Sequence, residues 1–235
     1  MLAFQDVSKE YRLDEENTIA PVRNLSLEVD RGEFIVIIGR SGTGKTTLLN
    51  LAAGLVKPTS GKVVIDSTDL SAMSDTQVSA LRSRKVGFIF QFPSLLPSLT
   101  IKDNVALPAI FTDANGTDGA AGRAAQLLDT LGLGGKLDVY PRQLSAGEQK
   151  RAVIARSLMN EPQLILADEP TSDLDVRTER EVMSTLRSIN SRGVTFLVVT
   201  HSLELVAFAT RAFEMEDGHL NCISTEGANG GVSSR

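Results

Sequence analysis

Short apolar runs closed by turn residues alternate along this chain with longer stretches whose apolar positions recur every three to four residues. The pattern predicts strands at 25–29, 34–38, 62–66, 86–90, 164–167 and 195–199. It predicts helices at 44–53, 76–83, 123–131, 146–159, 177–190 and 203–210. The runs starting at 34, 86, 164 and 195 are apolar throughout, as strands covered on both faces must be, so an α/β fold with a substantially parallel sheet is expected. The helix from 177 carries Val182, Met183, Leu186 and Ile189 on a single stripe, which gives it one face to bury. Between 92 and 142 the pattern becomes Pro-interrupted and helical, with a polar, Gly-containing break at 112–119. That stretch reads as a helical subdomain inserted into the α/β core. The last ten residues, 226–235, are mostly Gly, Ser and other small types and are expected to be disordered.

Composition narrows the partners. In 235 residues, 42% hydrophobic and 23% charged residues exclude a largely disordered or fibrous chain. With 24 basic against 29 acidic residues the formal charge is −5, so there is no bulk positive field to hold a nucleic-acid backbone or an anionic membrane, and no nucleic acid is expected as partner. The single cysteine, Cys222, permits no intrachain disulfide and suits a reducing compartment. The N-terminal ten residues alternate apolar and polar types and lack the basic start and apolar core of a signal peptide. The strongest apolar run, at 34–38, falls far short of the ~18 to 20 residues that span a bilayer. Any membrane role is therefore expected to come through a partner.

The chemistry begins at Gly39-Arg40-Ser41-Gly42-Thr43-Gly44-Lys45-Thr46, which fits the phosphate-loop spacing G-x-x-x-x-G-K-[ST] between an apolar strand and a helix. Glycines let the backbone wrap around phosphate so that N–H groups and the helix N-terminus face the anion. Lys45 supplies a cation to the β- and γ-phosphates, and the Thr46 hydroxyl is placed to bind Mg²⁺. A second apolar strand ends in Asp168-Glu169. This puts two carboxylates at the C-terminal edge of a buried strand, where open α/β sheets bind ligands. Asp168 suits Mg²⁺, held directly or through water, and Glu169 suits orienting or deprotonating the attacking water.

Leu144-Ser145-Ala146-Gly147-Glu148-Gln149, then Asp168-Glu169-Pro170, then Ser172-Asp173-Leu174-Asp175, then His201 after a strand, resemble the ordered motif set of ABC-type ATPases. The resemblance covers nearly the whole chain. It implies a P-loop NTPase, ABC-type ATPase core of RecA-like form with an inserted helical subdomain at about 92–160 and an antiparallel β subdomain, together one domain over 1–225. It also implies site roles, residue by residue. Tyr11, 34 residues ahead of Lys45, would stack on adenine, and the loop from Gly39 through Arg40, Ser41, Gly42, Thr43, Gly44, Lys45, Thr46 and Thr47 would hold the phosphates. Gln91 would touch Mg²⁺ and the water, and His201 would sense the γ-phosphate. Ser145 and Gly147 would bind the γ-phosphate of ATP on the other subunit, and Asp175 would reach the partner's site. Locally, Ser145 with Glu148 three residues on also makes a helix capping box. Ala146 and Glu148 depart from the family's LSGGQ, and the run from Thr171 to Asp175 departs from TGNLD.

The stretch from Phe90 to Thr100, followed by Asn104-Val105-Ala106-Leu107-Pro108, is similar to ATPase subunits of the lipoprotein-releasing, macrolide-efflux and cell-division group, and amino-acid importers and antimicrobial-peptide exporters share much of the pattern. The resemblance thus implies an ATP- and Mg²⁺-dependent ATPase. It would form a homodimer on the cytoplasmic face of the membrane, energising an integral membrane permease. Phe92, Leu95, Leu96 and Leu99 could equally line a groove for a permease helix or form ordinary subdomain core. The alternatives are an ABC ATPase of translation or DNA repair, and a non-hydrolysing nucleotide-gated scaffold. The former normally carries tandem domains, coiled coils or zinc ligands, for which 235 residues with one cysteine leave no room. Glu169 and His201 weigh against the latter.

Overall fold

Alternation with one irregularity shapes the sheet at the N-terminus. In the computed structural model, residues 1–12, 14, 17–112 and 116–225 are described, so the expected tail at 226–235 lies outside them. The chain divides into two compact units, residues 1–78 with the chain from 195 onward, and residues 79–194. In the first unit β1 (Leu2–Arg12) lies between β2 (Thr18–Val29) and β4 (Ser60–Ile65), antiparallel to both, and β5 (Thr68–Asp69) pairs with β4. Leu2 and Phe4 are buried on one face. The register then shifts at Asp6, whose φ is 49° and whose carboxylate accepts a 3.0 Å bond from Ser26 Oγ. After this bulge Val7 takes the inward place. With Val22, Leu25, Leu27, Val29, Val63 and Ile65 these side chains make an apolar face, each contributing about 1.5–3 kcal/mol by burial.

The same unit holds a second sheet. Its strand β3 (Phe34–Ile38) runs parallel to β8 (Thr195–Thr200) on one side and to β9 (Arg211–Glu216) on the other, and β10 (His219–Ile223) returns antiparallel to β9. Every residue of β3 and β8 is buried, and Phe34 faces Phe196 in register with stacked rings 5.0 Å apart. Helix α1 (Lys45–Ala52) buries Leu48, Leu49 and Leu51 and packs against β8. The β9–β10 hairpin turns on Asp217 and Gly218, with φ of 48° and 83°, the two positive values a two-residue primed turn needs. The helix expected at 203–210 is instead a 3₁₀ segment, Leu203–Phe208. It buries the neighbours Leu205 and Val206 rather than an i, i+4 stripe, which suits a tight connection and not an α-helix.

In the second unit, β6 (Val86–Ile89) and β7 (Leu164–Asp168) pair in parallel from Val86 with Leu164 to Ile89 with Ala167. Helix α2 (Asp75–Lys85) leads into β6. Helices α3 (Ile101–Ile110), α4 (Gly116–Thr130) and α5 (Ala146–Ser157) pack on one another, and α5 also meets β6 and α6 (Val176–Asn190). At Gly87 the end of α5 comes close to the strand, for a Cβ there would lie 2.3 Å from the Ser157 carbonyl oxygen. The irregular segment before α3 hangs on Asn104, which is fully buried. Its Oδ1 accepts from Leu96 N at 2.7 Å, and its Nδ2 donates to the carbonyls of Thr100, Leu96 and Leu99 at 2.9, 3.1 and 3.2 Å.

Candidate active site

The phosphate loop is built where β3 stops and α1 starts. Gly42 and Gly44 take φ of 84° and 105°, backbone that other residues adopt only under strain. A Cβ on Gly44 would stand 2.0 Å from the Pro21 carbonyl oxygen, and one on Gly39 would stand 2.6 Å from that of Met215. The loop is therefore pressed against main chain from two sides. Lys45 is 93% buried, and its Nζ donates to the carbonyls of Gly39 and Arg40 at 2.7 and 2.9 Å, inside the curve of the loop. Thr43 Oγ1 donates to the Arg40 carbonyl at 3.0 Å and ties the loop from within. The first turn of α1 begins at Lys45, so the N–H ends of its peptide groups and the positive end of the helix dipole lie at the loop. Loop, lysine and helix end together make a cradle for a polyphosphate. Thr46 is exposed at the mouth of that cradle.

Tyr11 and His201 belong to the same unit. Tyr11 is half-buried near the end of β1, with Lys9 Nζ 4.9 Å from its ring centroid. That ammonium also donates to the Lys57 carbonyl at 2.9 Å. His201 follows β8 directly and is exposed.

The second unit carries Gln91, Asp168, Glu169, Ser145, Gly147 and Asp175. Asp168 closes β7 and is buried. Glu169, also buried, has a φ of 46°, a conformation that costs a side-chain-bearing residue on the order of 1–3 kcal/mol. The turn holds that shape because Ser172 N and Ser172 Oγ both donate to the Glu169 carbonyl, at 3.1 and 3.0 Å. Gln91 is exposed after β6, and its carbonyl accepts a hydrogen bond from Lys150 Nζ. Lys150 is almost fully buried, and burial pushes its ammonium below the ordinary lysine value while the carboxylates of Asp173 and Glu169 pull it back up.

Ser145 caps α5 through a reciprocal box. Its Oγ accepts from Glu148 N at 3.3 Å, and Glu148 Oε2 accepts from Ser145 N at 2.9 Å. The other carboxylate oxygen of Glu148 pairs with Lys136 Nζ. Lys136, and after it the Ser145 N–H, hold the Glu148 carboxyl below the usual carboxylate range. Asp175 caps α6 by its side chain, accepting from Arg177 N and Thr178 N at 3.1 Å and from Thr178 Oγ1 at 2.7 Å. Those Thr178 bonds come first in lowering its pKa. Thr178 also joins the two helix starts, since a Cβ on Gly147 would lie 2.6 Å from Thr178 Cγ2. A larger residue at 147 would push the Thr178 side chain aside.

A family model described as ABC transporter matches residues 22–172, well over half of the chain, and spans the phosphate loop, the α5 cap and the Asp168–Glu169 turn. The chain belongs to the ABC transporter ATP-binding family. An uncharacterized ABC transporter ATP-binding protein of Thermotoga maritima is 44% identical over 97% of this chain and 96% of its own length. A macrolide export ATP-binding/permease protein of Rhodopirellula baltica is 41% identical over 93% of this chain, which spans about a third (32%) of that relative. Among solved structures, the ATP-binding cassette MJ0796, as a post-hydrolysis dimer bound to ADP and phosphate, superposes with a TM-score of 0.88. It is 37% identical, covering 97% of this chain and all of that one. The fold is thus that of an ABC ATPase cassette, a nucleotide-binding ATPase domain. Among the described residues no helix is long and apolar enough to cross a membrane.

Several contributors to this ABC cassette carry no motif of their own. The main chain of Pro21 and Met215, the Thr178 methyl, Lys136 and Lys150 all act through contacts between segments distant in sequence.

Proposed function

We propose that this ATPase energises a membrane transporter or a related mechanical membrane complex, of the lipoprotein-releasing, macrolide-efflux or cell-division kind. It works on the inner face of the membrane, bound to an integral permease, with the helical subdomain at about 92–160 inserted in a core over 1–225. Two copies close head to tail on two ATP molecules. The observation that carries the reading is the phosphate cradle, with Lys45 locked inside a glycine loop at the opening of α1. The macrolide relatives, named ATP-binding/permease proteins, support a permease partner, and the dimeric post-hydrolysis state of the similar cassette MJ0796 supports the paired arrangement.

In this reading Tyr11 stacks on adenine, and residues 39–47 hold the phosphates through backbone N–H groups and the Lys45 ammonium. Thr46, Gln91 and Asp168 offer a hydroxyl, an amide and a carboxylate oxygen, the hard donors that Mg²⁺ takes alongside phosphate and water. The bound ion supplies charge neutralisation at the β- and γ-phosphates. Glu169 orients the attacking water and accepts its proton, and Gln91 steadies that water. As the water oxygen bonds to the γ-phosphorus, the bond to the bridging oxygen breaks and ADP leaves. His201 donates to the γ-phosphate. From the other copy, Ser145 Oγ and Gly147 N–H, at the positive end of α5, face the same group, and Asp175 reaches across. Each chain thus supplies half of each site, and closure on ATP moves the helical subdomains that drive the permease.

Glu169→Gln tests the reading. Turnover should be abolished while an ATP-bound dimer accumulates on size-exclusion chromatography. A variant that hydrolyses at the parental rate sinks the assigned base. For the partner, affinity purification from membranes should recover a permease, and recovery of only ribosomal or DNA-bound proteins would overturn the transporter assignment.

A further inference from the structure

Lys150 is a buried cation for which the reaction as derived has no use. It lies on α5 about one and a half turns beyond Ser145, is 3% exposed, and its Nζ donates to the main-chain carbonyl of Gln91. One and a half turns further along, Arg156 donates from Nη1 to the Ser94 carbonyl at 2.8 Å and from Nη2 to the Pro93 carbonyl at 3.2 Å. Two cations of one helix therefore grip the chain that follows β6 by its carbonyl oxygens. Ser94 in that segment has a φ of 48°, a conformation that does not persist without such support. The carboxylates of Glu169 and Asp173 also act on the Lys150 ammonium, so a burial that would otherwise be costly is offset. The consequence for Gln91 is that its side chain stays exposed while its backbone is pinned from the interior.

We infer that Lys150 is a positioning residue for Gln91, fixing by its hydrogen bond to the Gln91 carbonyl where the Gln91 amide stands in the site. The inference rests on the proposed role of Gln91 at the attacking water. Nucleotide binding runs through the first unit's loop, so losing this hydrogen bond should affect the catalytic step and not affinity. A reacting or orienting group displaced by about 1 Å can cost on the order of 100-fold in rate.

The experiment compares Lys150→Met, Lys150→Arg, Gln91→Ala and the Met/Ala double variant in the full chain. It follows kcat and KM, the Kd of a fluorescent ATP analogue, and the melting temperature. Lys150→Met should lose roughly 10- to 100-fold in kcat with Kd within about twofold of the parent. Lys150→Arg, which keeps a donor, should recover most of the loss. The double variant should fall no further than Gln91→Ala alone, since residues acting through one another are not additive. Parental kcat in Lys150→Met, equal damage in Lys150→Arg, additive losses, or a Kd that rises as kcat falls would each overturn the inference. Should Lys150→Met not fold, Lys150→Ala is judged by the same criteria. If Gln91→Ala itself keeps parental turnover, the role of Gln91 fails and the inference falls with it. If Gln91→Ala is crippled and Lys150→Met is not, only the inference falls.

Discussion

Ser145 holds a helix start and, in the proposed reaction, the γ-phosphate of another copy, and two substitutions separate these jobs. Ser145→Ala removes the oxygen that accepts from Glu148 N. Loss of such a cap costs about 0.5–2 kcal/mol. The 3.3 Å length of this bond places the cost in the lower half of that range, near ~1 kcal/mol. For a chain of this size that corresponds to a fall in Tm of roughly 2–4 °C. Ser145→Gly also lacks the hydroxyl, yet glycine is tolerated at this position and costs only a few tenths of a kcal/mol. Its melting temperature should fall by about 1 °C or less. If the hydroxyl contacts phosphate, both variants should lose turnover alike, by roughly 10- to 100-fold. Both should also weaken the ATP-dependent dimer formed in a Glu169→Gln background. Thermal melts, steady-state hydrolysis and size exclusion read the three quantities. A Ser145→Gly variant that hydrolyses at the parental rate, beside an impaired Ser145→Ala, would refute the phosphate contact and leave Ser145 as a helix cap alone.

Three further outcomes follow from the geometry. Gly44→Ala forces a Cβ to 2.0 Å from the Pro21 carbonyl oxygen at a φ of 105°, so binding of a fluorescent ATP analogue should be lost or the melting temperature should drop by several degrees. Asn104→Leu leaves the Leu96 N–H and its carbonyl neighbours without their side-chain partner in a buried place. At about 1–3 kcal/mol per orphaned group, the urea midpoint should fall markedly with the slope unchanged. Glu148 is held below its ordinary value of 4.5 in the folded chain, so its contribution is present above that pH and is lost as pH falls through the lower folded value. Glu148→Gln should flatten the acid limb of the stability curve below about pH 4.5, as followed by circular dichroism; an unchanged limb would remove Glu148 from the account.

What the sequence made legible was what local pattern alone dictates. β3, β7 and β8 stand out because strands covered on both faces are apolar without interruption. The phosphate loop stands out because its backbone demands glycine at fixed spacing, and the Ser145–Glu148 box because its two partners are three residues apart. The strands β1, β9 and β10 escaped because one face of each is polar and charge breaks the run, although Asp217-Gly218 is a legible hairpin signal. The apolar spacing at 203–210 fits a helical coil, and the segment winds as 3₁₀ over Leu203–Phe208, a distinction that apolar spacing over two turns does not resolve. Lys150, Thr178 and the carbonyls behind Gly39 and Gly44 were beyond reach for another reason. Their contribution lies in approach between segments far apart in sequence, and no residue type announces it.

The nearest atoms of the surface that moulds the phosphate loop are carbonyl oxygens, of Pro21 behind Gly44 and of Met215 behind Gly39, with the Met215 methyl and Thr43 Oγ1 somewhat further off. Every amino acid supplies a carbonyl oxygen. A saturation library should therefore be lopsided, rejecting any replacement at the glycines while accepting many at 21, although the same contact is made from both sides. A short signature can thus specify a demanding shape, because the half of the mould that is not written in it can be built from any sequence that keeps the strand in place.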